Sequence, residues 1–548
     1  MNKPIIFIII DSVRSFKTGL DDRDKLAVME KFGEVSIEFK NAFCSAPSSI
    51  MSASSMFTGI SSAFIARNYN DWKFNEGSSI VSLQSILMKK GYEIFSIDNS
   101  KESREMMQTL TLPLRKKFFP KGFSHADYWT NKDICKILEN LLSVHKPQKK
   151  SFFMLWFDCR EDPLTSQYVE ESINIFKKYN FYNDSIIFLT SDHGYPDPNS
   201  GLTKKTMKGI GHDMIVTDDN IQIPLYLKYP NCSPKKVYSL VSNVDFAPTV
   251  LDLLEIDQNE LSKFSEGKSM LQTIKNENNK IVNDRTIRID TRLFSQDNRI
   301  TALRTKEFKF INYVDQKKHE LYDLNIDKNE VSPLDTTQEK NKKILDKFIS
   351  KFNEYEKKIN GYHKNQIIKN LKNIKNEIIS CNSIFINNKI PKELLRIIVE
   401  SIKTINPKVK IYFPKEYDLF IPNVEIYDNK DNKKKYYFDY IFSIKEKTFF
   451  SFVPKNFLDD NNINFKKVFY FDFDMKKYSP FISKWFWPIW KYSLNKRFYK
   501  DEPKLILIDI IKIFKTVFLK YFLKKENKID IYQQKQLRDR VLLNEKNK

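Results

Sequence analysis

Glycine and proline are scarce in this chain, at 12 and 21 of its 548 residues. That scarcity excludes collagen-like and linker-like character. Cysteine is scarcer: Cys44, Cys135, Cys159, Cys232 and Cys381 are an odd set with no metal-type spacing. A disulfide scaffold is therefore excluded, and a reducing compartment is expected. No run of about 20 uncharged apolar residues occurs, so no transmembrane helix is expected. The N-terminal apolar run Ile5–Ile10 stops at Asp11 and lacks a small-residue cleavage site. It reads as a buried strand rather than a signal peptide. Wholesale disorder is excluded by 44 Phe and 26 Tyr. Acid is under-represented: 91 Lys and Arg face 69 Asp and Glu, giving a formal charge of +22. The excess is mostly Lys, with only about 15 Arg, and about +18 of it falls in residues 361–548. A general Lys/Asn/Ile bias explains this as simply as attraction to an anionic partner does. Few Arg and no recognised binding motif argue against nucleic acid.

What is present is a length that suits two or three domains and a clear alternation. Ile5–Ile10, Tyr92–Ile97, Phe152–Phe157 and Ser185–Thr190 read as strands. Ser82–Met88, Ile134–Leu142 and Val169–Lys178 read as helices. Alternation of this kind predicts an α/β fold with a mostly parallel sheet and sites at the carboxyl ends of strands. Asp11 and Ser191-Asp192-His193 follow such strands directly. Residues 283–325 predict short strands, and 336–380 a helical linker. A second, smaller α/β unit is expected over 381–480. It has no Gly-rich phosphate loop, so no chemistry is assigned to it. Residues 481–548 hold Trp485, Trp487 and Trp490, then an apolar stretch interleaved with Lys512, Lys515 and Lys520. That pattern suits a membrane interface; its plain alternative is a helix packed on its own domain.

Three segments carry chemistry: Ile8-Ile9-Ile10-Asp11-Ser12-Val13-Arg14, the Ser-rich Ala46–Gly59, and Phe188–Gly194 followed by Gly211-His212. Val244-Asp245-Phe246-Ala247-Pro248-Thr249, Glu320-Leu321-Tyr322-Asp323-Leu324 and Leu87–Tyr92 add to them. In this order the segments resemble the sulfatase family of the alkaline-phosphatase superfamily, over residues 3–335. The resemblance implies that fold for residues 1–335 and a metal-dependent ester-cleaving site. The physics agrees. A serine hydroxyl is a poor nucleophile unless a cation lowers its pKa. Two carboxylates with an imidazole make a plausible divalent cage.

The resemblance assigns Asp11, Asp192 and His193 as ligands of one divalent ion (Zn, Mn, Ca or Mg). Ser49, ten residues before Gly59, becomes both ligand and nucleophile, although Ser48, Ser52, Ser54 and Ser55 compete for that role. His212 would meet the ester or protonate the leaving group, and Arg14 would line the anion pocket. Each has a plain alternative: a helix N-cap for Asp11, a turn for Asp192-His193, a surface loop for His212, an ion pair for Arg14. Lys208 is expected to be solvated, Cys44 packed and Asp245 structural. A second metal on Asp158 or Asp162 with His212 is not favoured.

The departures from the family pattern are informative. Met51 and Ala53 stand where it has the Pro and Arg that mark a nucleophile for conversion to formylglycine, so an unmodified Ser49 is expected. Asp11-Ser12 replaces a double acid, one calcium ligand fewer, which moves the expectation from sulfate toward a phosphate or phosphonate ester. The resemblance is then closer to the phospho-ester branches, such as the phosphoethanolamine and glycerophosphate transferases of cell envelopes, whose membrane-anchored, extracellular topology is not expected of this chain. The reading is a hydrolase or transferase on an ester of a glycan, lipid or envelope precursor. It would be cytoplasmic and peripheral on the inner membrane face, held on anionic lipid through residues 481–525. A formylglycine sulfatase and a non-catalytic scaffold are the alternatives.

Overall fold

A computed structural model describes residues 3–15, 27–65, 80–98, 130–158, 164–196, 212–275, 285–291, 299–314, 316–371, 375–387, 392–414, 424–427, 436–444 and 463–471. Lys208, Gly211, the segment Cys159–Asp162 and the whole tail 481–548 lie outside the described residues.

The first strand, β1 (Ile5–Asp11), is apolar on both faces because it lies inside a sheet covered on both sides. It pairs in parallel with β4 (Ser151–Asp158) and β5 (Ile186–Ser191). Together with β2 (Ile37–Phe43), β3 (Glu93–Asp98), β6 (Gln222–Ile223), β7 (Leu225–Lys228) and β8 (Lys235–Ser242) they form an eight-stranded sheet. Its order is β3-β4-β1-β5-β7-β2-β6, with β8 paired to β2. The strand β7 runs antiparallel to β5 and β2, and β6 antiparallel to β2, so the sheet is mixed at one side. Sequence reading did not foresee β2, β7 or β8, whose short mixed-polarity stretches carry no strong period.

Alternation along β1 decides the two cores. Ile6, Ile8 and Ile10 meet Phe153, Leu155, Phe157, Ile187 and Leu189, and the helices Asn131–Val144 and Thr165–Lys178 cover them. Phe7 faces the other way. Its ring stacks on Phe188 at 4.6 Å, and lies edge-on to Phe57 at 5.3 Å. Burying one such side chain contributes about 1.5–3 kcal/mol.

A second sheet is antiparallel, in the order β12-β11-β10-β9: β9 (Ile287–Asp290), β10 (Ile300–Arg304), β11 (Phe308–Tyr313) and β12 (Lys318–Asp323). Leu303, Phe310 and Leu321 on it pack against Phe348 of the long helix Glu339–Leu371. This helix occupies most of the expected linker. A third sheet follows: β13 (Ser383–Asn387), β14 (Lys410–Pro414), β15 (Val424–Tyr427), β16 (Tyr436–Ile444) and β17 (Ile463–Phe471). All of its strands are parallel, in the order β15-β14-β13-β16-β17. Among the described residues no helix is long and apolar enough to cross a membrane.

Candidate active site

The carboxyl ends of β1 and β5 place Asp11, Asp192 and His193 at one edge of the large sheet. One ligand atom from each lies within 4.8 Å of the others. The chain leaves β1 through Ser12, whose φ of 61° is left-handed. Ser12 N–H then donates to Asp192 Oδ1 at 3.0 Å, and its hydroxyl donates to Asp11 Oδ1 at 2.5 Å. Asp11 Oδ2 accepts from Trp156 Nε1 at 3.4 Å. Burial first, and the Asp192 charge second, push the Asp11 carboxyl above its ordinary pKa.

The polar atoms of Asp192 and His193 are divided unevenly. Asp192 Oδ1 accepts from Ser12 N–H and from His193 N–H at 2.8 Å, while the Ser191 hydroxyl, 3.3 Å away, gives its proton to the His193 carbonyl. Asp192 Oδ2, fully buried, accepts from no group. His193 Nδ1 lies 2.7 Å from the Gly194 carbonyl, so it carries the proton. That tautomer leaves a lone pair on Nε2, which stands 3.3 Å from Asp192 Oδ2. Two acceptors this close repel each other unless a cation lies between them or the ring is protonated. The residues therefore fit a divalent ion. Gly194 is required in this turn: a Cβ there would meet the Asp219 carbonyl oxygen at 2.3 Å.

Ser49 opens the helix Ser49–Thr58, with Ser48 in extended backbone before it. Four further serines and threonines make poor helix formers, so packing holds this helix rather than propensity. Ser52 Oγ donates to the Asp192 carbonyl at 2.5 Å and accepts from Asn243 Nδ2 at 2.8 Å. Gly59, at φ 69°, ends the helix by donating its N–H to Ser55. The geometry sets Ser49 apart from its neighbours. Its Oγ is 3.2 Å from His193 Nε2, whereas Ser52, Ser54 and Ser55 are fully buried. As first residue of the helix, Ser49 also sits at the positive end of its dipole, which favours an alkoxide and an approaching anion. Met51 and Ala53, at the positions of the Pro and Arg, are buried in the same helix.

His212 starts a short 3₁₀ turn, and its ring stacks on that of His193 at 4.9 Å between centroids. Asn220 holds the two together. Its Nδ2 donates to the carbonyls of His212 at 2.7 Å and Ile215 at 2.6 Å, and its carbonyl accepts from Gly194 N–H at 2.8 Å. Arg14 is 8% exposed, two residues beyond Ser12. Asp158 ends β4 in register with Asp11, its backbone gripped by Asn131. Asp245 accepts two hydrogen bonds from Arg285 and others from the backbone of Ser242 and Lys268. Cys44 is buried, which together with the Asp192 charge pushes its thiol far up. Sequence reasoning missed Trp156, Ser191, Asn220 and Asn243. Each acts by orienting another group, and no spacing signals that.

Comparison with known proteins adds the following. Residues 164–256 match the family model for sulfatases. Residues 211–358 match the model for the C-terminal part of N-sulphoglucosamine sulphohydrolase. The chain is 35% identical over 94 residues to lipoteichoic acid synthase 2 of Bacillus subtilis, a match spanning 17% of this chain and 14% of that protein. A candidate sulfatase of Bacteroides fragilis has the same fold, with 14% identity, TM-score 0.52, and coverage of 66% of this chain and 96% of that one. The phosphonate monoester hydrolase of Agrobacterium radiobacter is similar at 11% identity and TM-score 0.47, covering 66% and 96%.

Proposed function

The chain belongs to the sulfatase family of the alkaline-phosphatase superfamily, and from that premise we propose that it cleaves or transfers a phosphate or phosphonate ester using unmodified Ser49. Sulfatase-family enzymes are sulfuric or phosphoric ester hydrolases or transferases. The observation that carries the finer reading is Ser49 Oγ at a helix N-terminus, 3.2 Å from the unprotonated nitrogen of His193, which itself stands 3.3 Å from the bare Oδ2 of Asp192. Asp11, Asp192, His193 and Ser49 would hold a divalent ion. When bound, that ion supplies positive charge that stabilises the serine alkoxide and the non-bridging oxygens.

The chain's own groups do the rest. Ser49 Oγ–H gives up its proton to solvent water, and the oxygen bonds to phosphorus as the bond from phosphorus to the alcohol breaks. The leaving alkoxide takes its proton from His212, whose ring lies over His193. The oxygen of water, or of an acceptor hydroxyl, then bonds to phosphorus as the bond to Ser49 Oγ breaks, and its proton returns to His212. Buried Met51 and Ala53 support an unmodified serine, because the signal for formylglycine is missing there. The match to a lipoteichoic acid synthase supports a lipid-linked or envelope ester as substrate. The match to an N-sulphoglucosamine sulphohydrolase model favours the second reading, a sulfate ester with formylglycine at Ser49.

Metal-supplemented turnover of aryl phosphate diester, phosphonate monoester and sulfate substrates tests both. Phospho-ester turnover lost in Ser49→Ala, with a plain serine mass for the Ser49 peptide, supports the first. Turnover of sulfate alone, with the mass of formylglycine, replaces it with the second.

A further inference from the structure

We infer that Ser12 is a positioning residue that makes both site carboxylates offer a metal one oxygen each, and that it thereby sets the site against calcium. The inference rests on the metal-centred reading above. Ser12 occupies left-handed backbone, at φ 61°, which residues with a Cβ avoid. That turn aims its N–H at Asp192 Oδ1 and folds its hydroxyl back onto Asp11 Oδ1. One uncharged residue thus ties the ends of β1 and β5 together.

The consequence is a count of oxygens. Asp11 Oδ1 is committed to the Ser12 hydroxyl at 2.5 Å. Asp192 Oδ1 is committed to two backbone donors, Ser12 N–H and His193 N–H, while the Ser191 hydroxyl gives its proton to the His193 carbonyl at 2.6 Å. Asp192 Oδ2 has no donor, and Asp11 Oδ2 has only the long bond from Trp156 at 3.4 Å. The site then offers one oxygen each from Asp11 and Asp192, together with His193 Nε2 and Ser49 Oγ: four protein donors, one of them nitrogen. Calcium takes six to eight oxygens and commonly grips carboxylates with both. To take two from Asp11 it would have to share Oδ1 with the Ser12 hydroxyl. To take two from Asp192 it would have to compete with two backbone N–H donors. A smaller ion that accepts imidazole, such as manganese or zinc, is served by the four donors as they stand.

Isothermal titration of chelator-stripped full-length protein with MnCl2 and with CaCl2 tests this without recourse to activity. The informative variant is Ser12→Gly, because glycine is at home at φ 61° and keeps the N–H. A purely structural Ser12 predicts no loss of affinity in Ser12→Gly. The clamp predicts that wild type prefers manganese, and that Ser12→Gly binds manganese about tenfold more weakly. It also predicts a narrower gap to calcium, since Asp11 is freed to use both oxygens. Ser12→Ala, which lacks the hydroxyl but retains a Cβ, should show the same change, and thermal unfolding of the stripped proteins checks that both variants fold. Unchanged affinities in both variants, or a wild type that prefers calcium, overturn the clamp and leave the ester-cleaving reading standing. Failure of wild type to bind either metal overturns both.

Discussion

Replacing Lys309 with Met should destabilise the protein in a way that depends on pH and is partly repaired by a second change. Lys309 is 0% exposed and lies between two acids, Asp218 at 2.9 Å and Glu330 at 2.6 Å. Arg304 grips Asp218 from the other side at 3.0 Å. At an effective dielectric of about 20, the contact with Asp218 is worth roughly 6 kcal/mol, and that with Glu330 a similar amount only where Glu330 is ionised, before the desolvation of the buried charges is set against it. Truncating one partner of such a cluster costs about 3–5 kcal/mol, because the others are left buried and unmatched. For a chain of this size that corresponds to a fall in melting temperature of about 3–4 °C.

The pH dependence follows from Glu330. Burial raises its pKa to about 8, while Lys309 opposes the rise. Its folded pKa therefore lies above its unfolded one. Its contribution to stability is full below about 4.5 and is lost as pH climbs through about 8. Without Lys309 the folded pKa rises further, so the deficit of Lys309→Met should be larger at pH 8.5 than at pH 5.5. Adding Glu330→Gln to Lys309→Met should recover part of the melting temperature and flatten that difference. Differential scanning fluorimetry of the wild type and the three variants reads all of this. A single variant that melts within about a degree of wild type, or a double variant no better than the single, would refute the argument. There is a functional corollary. Asp218 begins the helical turn that carries Asn220, so Lys309→Met should also loosen the hold on His212 and lower kcat.

Further expectations can be checked in the same preparations. Asn220→Ala removes both donors to the His212 loop and should lower kcat about tenfold or more with little effect on manganese affinity, as steady-state kinetics and titration would reveal. Gly194→Ala forces a Cβ against the Asp219 carbonyl oxygen and should weaken manganese binding, since the Gly194 carbonyl fixes the His193 tautomer. Phe7→Ala empties the centre of an aromatic cluster and should cost about 3–5 kcal/mol, read as a lower denaturant midpoint. Cys44 and Cys135, whose thiols burial pushes far up, should resist iodoacetamide at pH 8 in the folded protein and react once it unfolds, as peptide mass spectrometry would show.

The parts of the fold that were legible in the sequence are those where burial is symmetric. Ile5–Ile10, Phe152–Phe157 and Ser185–Thr190 lie within one residue of β1, β4 and β5, because a strand covered on both faces must be apolar throughout. The strands β2 and β8 carry Lys, Asn and Glu among their apolar residues and are specified by pairing partners about 200 positions apart in sequence, so no local pattern announces them. Within the site, the residues that bear charge or a nucleophile at strand and helix ends could be named in advance. Those that act by holding others could not. Ser12 was read as a ligand lost; in the fold its backbone angle turns it into a bridge, and no residue type encodes that angle.

The position of β1 has a consequence for synthesis. The strand β1 is made before both of its neighbours and lies at the centre of the sheet, between partners that begin at Ser151 and Ile186. At about 5–20 residues per second, Ile5–Ile10 waits roughly 10–40 s for its second neighbour to be made. During that interval six consecutive apolar residues have no native strand to pair with, and Asp11 waits beside them for Asp192 and His193. The nascent chain is thus exposed to aggregation at Ile5–Ile10 during that interval, and the protein should depend on a chaperone that binds short apolar segments during translation.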